Sequence, residues 1–162
     1  ARRFTLALGP ARLDGIAPCP FPSVDRLRST SDDVVRAAGL SANKLSTLRR
    51  VADALHSGAL DGAMLEALPS LEAAAVLRQI KGIGPWTATV ILLRGLGRLD
   101  VFPMNDSSVA HNLSFVAGSV RFEIHEVLQA LGSQRGMLYY YLLLARLEAR
   151  GELGRVSSVL PA

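Results

Sequence analysis

The stretch IKGIGPWTATVILLRG, Ile80 to Gly95, holds the residues of this chain best suited to binding chemistry. Gly82 and Gly84 flank Ile83 and permit positive φ and close backbone approach. Pro85 suits the first position of a helix, where a missing N–H costs nothing. Ile83 can pack back between the helices on either side. The letters read as helix, hairpin (residues 80–86), helix. The second helix would then offer unpaired N–H groups and a positive dipole end, which is a phosphate site. Lys81 stands beside it, as a phosphate contact or as an ordinary exposed lysine. A tight helix–helix connection with a glycine stop and a proline start uses the same letters. Trp86 follows the hairpin, as a core residue or as a ring held open for a ligand.

Asp106, in VFPMNDSS, precedes the helical run SSVAHNL. Aspartate is a preferred N-cap, and a helix N-terminus favours its ionised form. Other chemistry is sparse. His56, His111 and His125 have no ligand spacing and read as surface or core histidines. Ser107 and Ser108 have no His or Asp arrangement that would make a nucleophile. Glu123 and Glu126 read as a solvated helix face. Cys19 is the single cysteine, so neither an internal disulfide nor a four-cysteine metal or iron–sulfur site can form within the chain.

The elements that must position these residues are helical nearly throughout. Leu45, Leu48, Ala52 and Leu55 make one face of a helix from about Ala42 to His56, with Lys44, Arg49 and Arg50 on the other. SDDVVRAAGL before it has Ser31 as N-cap, two acids in the first turn and Gly39 as stop. Ala73, Val76, Leu77 and Ile80 repeat the helical spacing, as do Ile124, Val127, Leu128 and Leu131. Val109, Leu113 and Val116 mark a helix after Asp106. Val34-Val35 and Tyr139-Tyr140-Tyr141 are the best strand candidates, and both sit in helical contexts. Seven to nine helices and no sheet are expected. Gly9–Ser23 and Gly95–Asn105 are the longest irregular segments, and ARRFTLAL at the start reads as the end of a helix begun earlier.

The 162 residues suffice for one domain or two small lobes. The formal charge is +4, and sixteen of the eighteen basic residues are Arg, which suits bidentate phosphate contacts. An Arg-, Ala- and Gly-rich composition is equally what a GC-rich coding sequence produces. The longest apolar run, Met137 to Ala145, is too short to span a bilayer.

Taken together, GLSANKLSTLRRVADAL and IKGIGPWTATVILLRGLGRLDVFPMNDSSVAHNL resemble the helix–hairpin–helix DNA glycosylase superfamily, in its alkylation-repair (3-methyladenine) branch. The resemblance implies an all-α, two-lobed fold in one domain over residues 1–162. The hairpin would lie at 80–86 and a catalytic loop at 99–108. The N-terminal part of the family fold, with the wedge into the duplex, is expected to be missing. The implied reaction is hydrolysis of the N-glycosidic bond of an alkylated purine flipped out of duplex DNA. Asp106 falls at the family's catalytic aspartate. Trp86 occupies the place of the lysine that forms a Schiff base in bifunctional relatives, so a monofunctional enzyme is implied.

Trp86 would then stack on the flipped base, with cation–π attraction to a cationic purine. The substrate-side candidates are Trp86, Tyr139 and Gln134. Gln134 stands where the family has a second aromatic, which Tyr139 or Tyr140 would have to replace if they are not core residues. Val90 lies where some relatives have a pocket tyrosine. Backbone contacts with DNA would come from Lys81, Gly82, Ile83, Gly84, Trp86, Thr87 and Arg135. No cofactor or catalytic metal is implied, and no iron–sulfur cluster. A structural monovalent cation at the hairpin carbonyls is. The partner would be double-stranded DNA with alkylated bases, bound by a monomer with no membrane. The location would be the bacterial cytoplasm, at the nucleoid, or a eukaryotic nucleus. The alternatives are a non-catalytic DNA-binding helix–hairpin–helix module and a glycosylase for another lesion.

Overall fold

The computed structural model describes residues 21–104, 106–118 and 123–152. The helix end expected at Ala1–Leu8, the irregular stretch up to Pro20 with Cys19, and Asn105 lie outside the described residues. The described residues form helices and no strand, and both strand candidates are helical. None of these helices is long and apolar enough to cross a membrane. The chain divides into two compact units, Ala1–Pro85 and Trp86–Ala162.

In the first unit, α1 (Val24–Ser29) starts at Ser23, whose Oγ accepts from the Arg26 N–H at 3.2 Å. That satisfies one of the orphan donors of the first turn. The second helix, α2 (Asp32–Ala37), starts after Ser31 as expected, yet the Ser31 side chain makes no capping bond. Asp32 and Asp33 supply the negative charge in its first turn instead. The long helix α3 (Ala42–Ser57) agrees with the periodicity to within a residue. Leu27, Val35, Leu45 and Ala52 make the core of α1–α3, with Leu48 partly buried against it. Leu55, expected on the same face, is 40% exposed. It lies in the last turn of α3, outside that cluster. Arg28 and Arg49 make ion pairs with Asp53 (2.9 Å) and Asp32 (2.8 Å) at the surface. Each such pair contributes less than about 1 kcal/mol. Next come α4 (Gly62–Ala67), capped by the Asp61 carboxylate, and α5 (Ser70–Arg78), which places Ala73 and Leu77 in the interior.

The boundary between the units falls in the first turn of α6 (Pro85–Val90). The apolar run after it does not continue as an α-helix. Ile91–Gly95 is a π-helical turn, with the Leu96 N–H reaching the carbonyls of both Ile91 (3.2 Å) and Leu92 (3.3 Å). Such a turn widens the helix by one residue and re-aims the chain beyond it. Leu92 and Leu93 are fully buried there. A loop leads to α7 (Ser107–Ala117), then α8 (Ile124–Leu131), a 3-10 turn (Gly132–Gln134) and α9 (Arg135–Ala149). Phe102 from the loop joins Val109, Leu128 and Leu142 in the core of this unit, with Leu113, Leu138 and Tyr139 packed against it. That anchors the loop before Asp106.

Candidate active site

Asp106 sits where the loop enters α7. The loop is fixed just upstream, with Phe102 buried and Pro103 fully so. Asp106 as a whole is only 9% exposed. Its Oδ1 accepts from the Val109 N–H at 3.4 Å, the reach of an N-cap to the third helical residue. Its Oδ2 accepts from the Trp86 indole Nε1–H at 2.8 Å. N-cap and indole acceptor are therefore one group. A hydrogen bond to a charged group contributes about 1.5–3 kcal/mol.

Trp86 is not core. It is 46% exposed in the first turn of α6, with its in-plane edge committed to Asp106. The periodicity of the sequence carried no sign of this bond. A donor-only aromatic and a carboxylate twenty residues apart meet because α6, the π turn and the loop fold back within one unit.

The hairpin differs from expectation in its glycines. Gly82 has φ +105°, and a Cβ there would lie 2.0 Å from Thr47 Oγ1 of α3. Gly84 is not in the positive-φ region, and a Cβ on it would meet no protein atom within 4 Å. Gly82 is thus demanded by the fold, whereas Gly84 is not. Ile83 is buried, as expected, and Lys81 is exposed. Thr87 is half-buried in α6. From α3, Arg50 donates through Nη1 to the Lys81 carbonyl at 3.1 Å. A side-chain cation therefore already lies at this hairpin carbonyl, and the Ile80 carbonyl accepts from the Ile83 N–H at 2.9 Å. A structural monovalent cation does not fit at the Lys81 carbonyl beside that guanidinium. No group of three or more His, Cys, Asp or Glu side chains that could hold a metal occurs among the described residues.

Gln134 is exposed at the end of the 3-10 turn. Arg135 starts α9 and donates through Nε to the Gly132 carbonyl at 2.7 Å. Tyr139 packs on the core of its unit, with its ring edge-on to Tyr140 at 5.8 Å. Tyr140 does not leave its hydroxyl at the surface: it donates to the Leu93 carbonyl of the π turn at 2.9 Å. Gly136 is a close-contact position that no periodicity in the sequence marks. Its N–H donates to the Leu99 carbonyl at 2.7 Å, and a Cβ would lie 2.9 Å from the Leu99 backbone. The small residue after Arg135 lets α9 touch the loop that carries Asp106. Val90 is half-buried, and His56, His111, His125, Glu123 and Glu126 are exposed, with His56 beside Asp25.

No family model matches the chain. It is 35% identical over 97 residues to DNA-3-methyladenine glycosylase 1 of Schizosaccharomyces pombe, a stretch of 59% of this chain and 42% of that one. The chain thus spans less than half the length of the curated relatives it matches. A crystal structure of a Bacillus halodurans DNA-3-methyladenine glycosidase superposes with a TM-score of 0.64 at 28% identity, covering 82% of this chain and 63% of that one. The S. pombe 3-methyladenine DNA glycosylase in complex with abasic DNA gives a TM-score of 0.68 at 24% identity, over 90% of this chain and 80% of that one. Part of the chain is thus similar in sequence to DNA-3-methyladenine glycosylases, and its helical fold is similar to that of the solved glycosylases.

Proposed function

We propose that this chain is a monofunctional DNA glycosylase acting on alkylated purines extruded from duplex DNA. The observation that carries this reading is the nearly buried Asp106 carboxylate beside the half-exposed ring of Trp86. Breaking the N-glycosidic bond sends its electron pair into the base and leaves oxocarbenium character on the sugar. An alkylated purine is already cationic, so the departing base becomes neutral and needs no strong general acid. The demand on the protein is an anion beside the sugar. One carboxylate about 4 Å from that charge contributes roughly 4 kcal/mol at an effective dielectric of 20, about a thousandfold in rate. Water adds to the anomeric carbon, and its proton passes to Asp106 or to solvent. Trp86 supplies no amine, so no Schiff base forms and the strand is left intact.

The ring of Trp86, a residue 46% exposed, is the surface against which the flipped base would stack, worth roughly 1–3 kcal/mol, with a cation–π gain for a charged purine. The other groups proposed to line the substrate side are Gln134 and Tyr139. Lys81, Arg135, Thr87 and the amides around Gly82–Gly84 would hold phosphates, which positions the duplex and reads no sequence. The relatives' names and the abasic-DNA complex of one of them support the substrate class.

The test is release of methylated purines from alkylated duplex DNA by this chain. We expect free 3-methyladenine and an abasic strand that breaks only on alkali treatment. Duplex binding without base release would instead identify a non-catalytic DNA-binding module. Spontaneous strand cleavage would contradict the monofunctional assignment.

A further inference from the structure

We infer that Trp86 is a positioning residue for Asp106, acting through its indole N–H, in addition to offering a ring face. The inference rests on the glycosylase reading. Indole nitrogen is a donor only, and a hydrogen bond from it lies in the ring plane. At 2.8 Å the bond to Asp106 Oδ2 is at the short end of the N–H···O range, as expected for an ionised acceptor. The bond from the Val109 N–H to Oδ1, at 3.4 Å, is much longer. Of these two donors the indole is therefore the stronger restraint on the orientation of the carboxylate. A Phe at position 86 would present a similar ring face and no donor. The ring edge sets the anion, while the residue as a whole stays 46% exposed.

A purely structural role predicts loss of stability alone. A positioning role predicts loss of charge stabilisation at the sugar, visible with undamaged binding intact. The test uses the full chain, Trp86→Phe, Asp106→Asn and the double variant. Two abasic-site duplexes serve as probes: one with a cationic pyrrolidine in place of the sugar, one with neutral tetrahydrofuran. The wild-type chain should prefer the cationic duplex, and Trp86→Phe should lower that preference roughly tenfold. Its rate of base release should fall by a similar factor, with affinity for undamaged DNA unchanged. In the Asp106→Asn background Trp86→Phe should have little further effect on either quantity, because the two groups act as a unit. Trp86 is the single tryptophan, so growth on 3-benzothienylalanine replaces this one N–H by sulfur in a ring of the same shape. This isostere should behave as Trp86→Phe does and guards against a variant that folds poorly.

If both substitutions leave the cationic preference and the rate unchanged, the inference is overturned while the glycosylase reading stands. It is equally overturned if the effects of Trp86→Phe and Asp106→Asn simply add. If the wild-type chain neither releases bases nor prefers the cationic duplex, the glycosylase reading fails and the inference falls with it.

Discussion

At the residue scale, Asp106 caps α7 and accepts the Trp86 indole bond with one carboxylate, the group proposed to face the sugar. Its N-cap bond ties it to the start of α7, and near-burial limits the screening of its field by water. Gly136 makes a sharper case, because two effects of known size oppose each other. Glycine in a helix costs about 1 kcal/mol relative to alanine, so Gly136→Ala would stabilise an open site. Here the added Cβ would lie 2.6 Å from Leu93 Cδ1 and 2.9 Å from the Leu99 backbone, and a backbone atom cannot step aside like the end of a side chain. Overpacking of this kind costs roughly 1–3 kcal/mol. The clash offsets the propensity and more, and urea unfolding of Gly136→Ala should show a net loss of up to about 2 kcal/mol. A gain in stability would mean that α9 is not pinned against the loop.

At the element scale, the hairpin separates into a glycine required by the fold and one that is not. Gly82→Ala should lower the melting temperature, because it combines positive φ with a collision against Thr47. Gly84→Ala should melt like the wild type. If the amides around Gly84 receive a phosphate, Gly84→Ala should nonetheless weaken binding to every duplex, damaged or not, measured by anisotropy. Unchanged affinity would remove Gly84 from the DNA interface. Tyr140→Phe breaks the bond to the Leu93 carbonyl and should cost about 1 kcal/mol.

Much at this scale was legible in the sequence. The 3.6-residue period located α3 and the helix after Asp106, and glycine and proline punctuation located the hairpin. The π turn was not legible: Ile91–Gly95 is as apolar as an α-helix interior, and the widening depends on where the Leu96 and Arg98 N–H groups find carbonyls. The exposure of Leu55 was hidden for a related reason, since periodicity names a face without naming what covers it. The meeting of Trp86 with Asp106 depends on that widened turn and on the loop closing under Phe102, which no local pattern records.

At the scale of the whole molecule, the charge of +4 is modest and Arg-dominated. Some of that basicity is committed internally: Arg28 and Arg49 to carboxylates, Arg50 to the hairpin carbonyl, Arg146 over the ring of Phe115. Net charge alone therefore overstates what is left for phosphates. If Lys81 and Arg135 carry the ionic contacts, the logarithm of affinity for undamaged duplex should fall against the logarithm of salt with a slope of about −2, and of about −1 for Lys81→Gln. A slope unaltered by Lys81→Gln would move the contact elsewhere.

Asp106 is proposed to provide the charge that breaks the glycosidic bond. Single-turnover release of 3-methyladenine, compared between this chain and Asp106→Asn at saturating protein, tests this role most directly. The rate should fall about a thousandfold, with affinity for the same duplex equal to or above that of the wild type. An Asp106→Asn protein that binds normally and retains more than about a tenth of the rate would contradict that role.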